Sequence, residues 1–595
     1  MHLKRHLALL LLLVAQCVAQ AAPPPYTDPT AYRLNKVNPH AVNYPAESAA
    51  FYRLLSDGWR MLWVADTKSA PQSYIQQGGN LKGFAPVSLP SQAYNESAIG
   101  CYARDFDMPA EWAGRRTFIR FGSAASAMHL YVNGQLVGYS EDSFTPAEWE
   151  LTRYLTSGRN RIAVRLYAKS NAAEIEHISP AIKAGLLRNV ELYSLPQVYI
   201  ADYNLIATVD TADYSTARLD LTVDLSTEVR RHYTVEIELI DITQHPSLTI
   251  LHRRRRLDIK DWFVSFSQKS NDIGGVIPWT PSNPVCYQLI IRLLSSSDSL
   301  VHSVVTPVGF RTIEIADNLC MLNGNPLQMR GIEWDEPLPQ VGIDSLRTVL
   351  EEIRHAGFNT VRLSRPASEA FYDLCDQMGL MVWDVGGVGI DRSLRDSIAN
   401  SEAWEENFVY RAHNLLRRDR RHACIIAWGI NSAMPWGRSA EQMMRYFEGR
   451  DAVRLAAHSD YKRGRITVAD SATSQSLASL GQKRHRQPTL ALCHQWPADI
   501  DALWRTITEY PSLQGAVCGR WDDLQPHQKA EFRNIARRVA PPDEQPDDDT
   551  PAAVVASTET VQDTAAEIGE TGPRRQFFLV RWWRKLMNYL SRPLD

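Results

Sequence analysis

The stretch Ile425-Ile426-Ala427-Trp428-Gly429-Ile430-Asn431-Ser432 is an unbroken apolar run that stops at two small polar residues. It reads as a strand buried on both faces, the kind found in parallel sheets. Similar runs stand on both sides of it: Leu327 to Ile332, Asn359 to Leu363, Leu380 to Trp383, Ile466 to Ala469, Leu490 to Cys493 and Gly515 to Gly519. Helical patterns separate them. Ser345 to His355 places Leu346, Val349, Leu350 and Ile353 on one face, and Glu369 to Met378 and Gln525 to Val539 follow the same period. A weaker strand near Ser476 to Leu480 would complete the set. Eight β/α units in about 230 residues predict a (β/α)8 TIM barrel over residues 313–540, with function at the C-terminal ends of its strands.

Upstream the period is that of strands. Residues 30–195 contain the short alternating runs Thr117 to Phe121, Met128 to Val132 and Arg161 to Leu166, and Asn133-Gly134 is a hairpin turn. Residues 196–312 alternate at Leu219 to Val223, Tyr233 to Ile240 and Tyr287 to Leu294, which suits an immunoglobulin-like β-sandwich. The basic run His252-Arg253-Arg254-Arg255-Arg256 between two strand-like flanks is expected at a solvated hairpin edge.

The two ends differ from the middle. Lys4, Arg5 and His6 precede an apolar stretch, Leu7 to Ala15, and Ala19-Gln20-Ala21 offers a cleavage site, so residues 1–21 are expected to be a secretory signal peptide. Gln16 before Cys17 fits a lipoprotein signal poorly. Residues 541–573 are acidic and contain no Lys or Arg, which predicts a disordered linker. Residues 574–595 reverse the sign. Arg581, Trp582, Trp583, Arg584 and Lys585 belong to an expected basic amphipathic helix, suited to a membrane surface or a protein partner. The chain is therefore expected to be exported, periplasmic or secreted, with membrane association through this helix as a further expectation.

Composition excludes some classes. A net charge of -3 gives no reason to expect nucleic acid. No Cys-x-x-Cys pair supports zinc or thioredoxin-like chemistry, and Cys375, Cys424, Cys493 and Cys518 sit in apolar runs as small core residues.

Several phrases, in order, resemble glycoside hydrolase family 2, the β-galactosidase and β-glucuronidase group. They include Leu55-Ser56-Asp57-Gly58-Trp59, Tyr102-Ala103-Arg104-Asp105-Phe106 and Tyr131-Val132-Asn133-Gly134-Gln135-Leu136-Val137-Gly138-Tyr139-Ser140. Val308-Gly309-Phe310-Arg311, Gly357-Phe358-Asn359-Thr360-Val361-Arg362 and Tyr510-Pro511-Ser512-Leu513-Gln514-Gly515 continue the match. The resemblance implies a jelly-roll sugar-binding-like β-sandwich over residues 30–195, ahead of the immunoglobulin-like sandwich and the barrel. It covers most of residues 50–540.

The same resemblance implies a lost chemistry. Retaining glycosidases need two carboxyl groups about 5 to 5.5 Å apart, one protonating the leaving oxygen and one attacking the anomeric carbon. In the family these are Glu residues at the ends of strands four and seven. Here Ser432 and His494 stand there, so both carboxylate positions are substituted. The family's Asn-Arg-His-Glu-His reads Glu333-Trp334-Asp335-Glu336-Pro337, its Arg-Thr-Ser-His reads Arg362-Leu363-Ser364-Arg365, and its sugar-contacting Asp-Met-Trp reads Ser179-Pro180-Ala181. No metal or other cofactor is carried over.

Arg362, Asp384 and Asn431 still match the family. They are candidate sugar contacts, though Arg362 and Asp384 are better expected as a structural ion pair. Trp334, Trp436, Trp496 and Trp521 lie near strand ends, where an indole could stack on a pyranose or simply fill space. Glu333, Asp335 and Glu336 are candidates for relocated acids. A Ser432–His494 hydrolase lacks a visible third group or nucleophile elbow. Together these readings favour a protein without the usual glycosidase activity that binds carbohydrate or serves as a scaffold. The alternatives are an active β-galactosidase-like glycosidase with a rearranged site, or an assembly protein acting through its C-terminal helix.

Overall fold

A computed structural model of the chain describes residues 24–42, 49–93, 99–227, 229, 231–482 and 487–546. The expected signal peptide, nearly all of the acidic linker and the basic helix with Arg581 to Lys585 lie outside these residues.

The first β-sandwich packs a seven-stranded sheet on a four-stranded one. Ile99–Asp107 runs antiparallel to both Arg159–Tyr167 and Trp59–Val64. The hairpin of Ala127–Val132 and Gln135–Ser140 turns at Asn133-Gly134, both with positive φ (51° and 85°), as a two-residue turn of that hand requires. Trp59, Trp112 and Trp149 fill its core. The second sandwich sets three strands against four. Ala217–Thr227 shows the cleanest alternation of buried and more open residues. The basic run sits at the expected solvated hairpin edge, on the outer strand that pairs antiparallel with His232–Asp241 rather than in the turn between them. It lies within one continuous edge strand, Leu248–Asp258, where Arg254 stands opposite Glu236 and also reaches Asp298 (2.6 Å). Cross-strand acids let the run stay extended and solvated at the sheet margin.

The barrel strands are β1 (Met329–Glu333), β2 (Thr360–Arg362), β3 (Met381–Gly386), β4 (Ile425–Ile430), β5 (Leu455–Ala457), β6 (Thr467–Asp470), β7 (Thr489–Cys493) and β8 (Leu513–Arg520). They form a parallel sheet in the order β5-β4-β3-β2-β1-β8-β7-β6. Among the described residues β5 and β6 share no ladder, so the cylinder is nearly closed. The fifth strand is Leu455–Ala457, and the expected strand near Ser476 is instead a helix, Ser474–Gly481. Thr473 and Ser476 form a capping box there, and Leu477 faces the core. The helix Glu369–Met378 ends at Gly379, whose φ of 73° closes it in the left-handed conformation. Cys375, Cys424, Cys493 and Cys518 are free and buried.

The start of the expected linker is ordered. Glu544 accepts from Arg330 (2.5 Å) and from Asn359 Nδ2 (3.1 Å), giving a buried arginine at the base of β1 its counter-ion. Arg311 ties the second sandwich to the base of β4, donating to the carbonyls of Ala423 (2.5 Å) and Ile425.

The first sandwich is locked to the barrel by buried polar groups. Glu141 accepts from Tyr139 (2.5 Å) and Asn171 (3.1 Å) of the sandwich and from Asn407 (3.2 Å) of the barrel helix Glu402–Asp419. Burial pushes the Glu141 pKa up to about 7. Since the folded value lies above the ordinary 4.5, the stabilisation from this carboxyl is complete below about pH 4.5 and is lost as pH rises through about 7. Urea unfolding should show wild-type stability falling relative to Glu141→Gln by about 2–3 kcal/mol between those limits. A difference that does not change with pH would contradict this.

Candidate functional site

The C-terminal ends of the barrel strands converge on a mouth partly roofed by the first sandwich. In the parallel register Glu333 stands directly opposite Arg362, and Arg362 opposite Trp383. Arg362 therefore donates to Glu333 (2.5 Å) and lies over the Trp383 ring (5.1 Å to its centroid). Its other nitrogen reaches the Ser432 hydroxyl (3.2 Å).

The expected Arg362–Asp384 ion pair is not formed. Asp384, one residue beyond Trp383, points to the other face of β3. It is fully buried, accepts from Tyr372 (3.0 Å) and the Val385 amide (3.0 Å), and leaves Oδ2 without a partner. Burial, reinforced by the Asp419 charge, holds its pKa well above the usual carboxylate range.

The three candidate relocated acids are buried, and each meets an arginine, while Asp335 and Glu336 also accept from serines. Asp335 accepts from Arg520 (2.9 Å), the Ser364 amide (2.7 Å) and the Ser364 hydroxyl (2.5 Å). Glu333 faces Arg362, with Arg520 3.9 Å from its second oxygen. Glu336 serves the seam between sandwich and barrel: it accepts from Arg188 (3.1 Å), the Ser368 amide (2.7 Å) and the Ser368 hydroxyl (2.7 Å).

Ser432 and His494, expected at the family's two carboxylate positions, are both exposed. Ser432 follows Asn431, whose amide donates to the Ser364 carbonyl (3.0 Å) and whose oxygen accepts from the Ala433 amide (2.8 Å), fixing the turn after β4. His494 pairs with Asp470 at the end of β6 (2.7 Å) rather than with Ser432.

The four tryptophans divide. Trp334 and Trp521 are buried, the first against Phe371 and the second beneath the Lys529 ammonium (3.6 Å). Trp436, stacked on His458 (5.4 Å), and Trp496, edge-on to Phe532, are half-buried and keep part of their rings open.

Between the strand ends and the sandwich loop lies a cavity of about 320 Å³, lined by Asp335, Arg365, Arg520 and Asp522 from the barrel and by Pro180 and Lys183 from the loop. Asp522 sits at the rim. Burial raises its pKa, against the opposing pull of Arg520 and a hydrogen bond with Trp334. A larger, more open hollow of about 580 Å³ is walled by Tyr410 and Tyr446 on the outer helices and by Tyr32 of the N-terminal segment, and includes no strand-end carboxylate, so the mouth is the candidate site. Arg520, Asp522 and Asp470 are the members that motif reading passes over, and Arg365 enters it only as a departure from the family's Arg-Thr-Ser-His. Their one signal is a place just after an apolar run.

Among the described residues one cluster could hold a cation. The Asp376, His422 and Cys424 ligand atoms lie within 4.8 Å of one another near the base of β4. Asp376 is already engaged by the His422 ring (2.7 Å) and the Cys424 amide (2.8 Å), so the trio serves as a polar clasp. It lies at the opposite end of β4 from Ser432.

Sequence and structure comparisons add a lineage. Residues 53–196 match "Glycosyl hydrolases family 2, sugar binding domain", residues 198–311 "Glycosyl hydrolases family 2", and residues 313–525 "Glycosyl hydrolases family 2, TIM barrel domain". A β-galactosidase of Priestia megaterium is 26% identical over 566 residues, covering 83% of this chain and 54% of the relative. One from Pectobacterium atrosepticum is 26% identical over 548 residues, covering 81% and 51%. The chain thus spans about half the length of the curated relatives it matches. Among solved structures, β-glucuronidase 2 of Bacteroides uniformis aligns with a TM-score of 0.65 at 16% identity, over 79% of this chain and 65% of its own. The β-glucuronidase of Bifidobacterium dentium gives 0.66 at 19%, over 80% and 92%. These likenesses show a shared fold.

Proposed function

The chain belongs to glycosyl hydrolase family 2, and on that premise we propose that it holds carbohydrate at the barrel mouth without cutting it by the two-carboxylate route. The observation that carries this reading is the pair of strand ends. Where the mechanism needs an acid and a nucleophile, β4 is followed by the Ser432 hydroxyl and β7 by His494, paired to Asp470. A serine hydroxyl does not donate a proton near neutral pH as a raised carboxylic acid does. Glu333 is committed to Arg362, and Asp335 and Glu336 to arginines and serine donors, which leaves them as architecture. The named relatives are β-galactosidases and β-glucuronidases, so a β-pyranoside is the ligand class to test first.

Nitrophenyl β-galactoside, β-glucoside and β-glucuronide should show no turnover above buffer. Turnover that disappears in Asp335→Asn would overturn the proposal.

One observation favours a second reading, a hydrolase with a rearranged site. Asp522, with its raised carboxyl, and Asp335, ion-paired to Arg520, share one cavity, and such an asymmetry suits an acid and its partner carboxylate. If the glycoside panel reports turnover, Asp522→Asn should abolish it with the melting temperature unchanged.

A further inference from the structure

Arginines at this mouth are matched to carboxylates: Arg362 to Glu333, Arg520 to Asp335 and Arg188 to Glu336. Arg365 breaks the pattern. Its side chain lines the 320 Å³ cavity, the residue is only 4% exposed, and no carboxylate lies within ion-pair distance of it among the described residues. It donates to the carbonyls of Pro180 (3.4 Å) and Glu336 (3.2 Å), both long contacts, and its Nε is buried without a partner.

A buried guanidinium without a counter-ion is costly, by several kcal/mol in the general case. The neighbours relieve it only in part: burial disfavours the charged guanidinium more than the nearby Asp335, Glu336 and Asp522 carboxyls favour it. Asp335 is held by Arg520 and Ser364, and the Glu336 carboxylate by Arg188 and Ser368. Lys183 adds a further cation at the rim, so the lining carries Lys183, Arg365 and Arg520 against Asp335 and Asp522, a surplus of one positive charge. Asp522 contributes least to the balance, because burial favours its neutral form. The volume is at the lower end of ligand sites and suits a single substituted sugar ring.

We propose that this cavity takes a saccharide bearing a negatively charged group, a carboxylate or a sulfate, and that Arg365 receives that group, with Lys183 assisting from the rim. The planar guanidinium, with Nε unused, suits paired hydrogen bonds to two oxygens of one acidic group. The proposal rests on the carbohydrate-binding reading above and names its ligand class.

Calorimetric titration of the full chain with galacturonic acid, glucuronic acid, galactose 6-sulfate, galactose and glucose tests it. At least one acidic sugar is expected to bind about tenfold or more tighter than its neutral parent, and the stronger of the carboxylate and sulfate arms identifies the group. Arg365→Gln should bring acidic and neutral sugars to within about twofold of each other, and Lys183→Gln should reduce the preference by a smaller, salt-dependent factor. Equal binding of acidic and neutral sugars would overturn the anionic-ligand proposal and leave carbohydrate binding standing. A preference that survives Arg365→Gln would also overturn it. Binding of none of the five would remove both readings. Should Arg365→Gln fail to fold, the exposed Lys183→Gln decides: an unchanged preference and salt dependence overturns the assignment.

Discussion

Arg188→Met should lower the unfolding free energy by about 3–5 kcal/mol, the cost of breaking a buried ion pair from one side. The guanidinium is nearly inaccessible and joins three pieces of chain: it donates to Phe144 of the sandwich (2.7 Å), Pro366 after β2 (2.9 Å) and Glu336 after β1 (3.1 Å). Methionine fills much of the volume but leaves the Glu336 carboxylate buried with only the two Ser368 donors. The test of cause is the double variant Arg188→Met/Glu336→Gln. It should recover a large part of the loss in denaturant unfolding, because a neutral amide needs no counter-ion. A single-variant loss below about 1 kcal/mol would show that the seam does not depend on this pair.

Trp428→Ala should be comparably damaging, at about 3–5 kcal/mol. The indole is completely buried on β4, stacks on Phe447 at 5.9 Å between ring centroids and lies 5.6 Å from the Arg454 guanidinium. Its Nε1 donates to Asp451 (2.8 Å), whose pKa is lowered by Arg454 and by this bond in spite of burial. Alanine leaves both a cavity and a carboxylate short of one donor. Trp428→Phe keeps the stack and loses only the donor, so about 1–2 kcal/mol is expected. Thermal or urea unfolding of the two variants separates packing from hydrogen bonding. Equal losses would mean that the ring itself contributes little.

Most of the barrel is legible because its strands are long apolar runs and its helices keep one apolar face. The failure at β5 has a physical origin. Leu455–Ala457 spans three residues directly after Arg454 and offers no run to detect, while Leu477 and Leu480, three apart, carry a helical spacing behind the Thr473 cap. The strand-end residues could be placed at the mouth from sequence because a parallel barrel delivers them there. Their partners could not. Whether Arg362 meets Asp384 or Glu333 is set by register between strands, and the sequence of one strand does not contain it. Arg365 shows the same limit. Its position follows from β2, but its lack of a counter-ion depends on where Arg188 and Arg520 direct Glu336 and Asp335. The basic run in Leu248–Asp258 was ambiguous because charge locates an edge without distinguishing strand from turn.

The missing ladder between β5 and β6 gives the barrel a mechanical character of its own. A closed hoop resists any change of girth through all its hydrogen-bonded rings at once. A rolled sheet with two margins can loosen along one line while the other seams stay bonded. Here that line runs beside Asp470, the β6 end with which His494 is paired, and beside His458, on which Trp436 is stacked. The bore of the mouth is therefore set firmly on the β1, β2 and β8 side, where Glu333, Arg362, Asp335 and Arg520 interlock, and more loosely on the side opposite. A sugar held at Arg365 would rest against the stiff wall, with the compliant wall free to adjust to whatever the sugar is attached to.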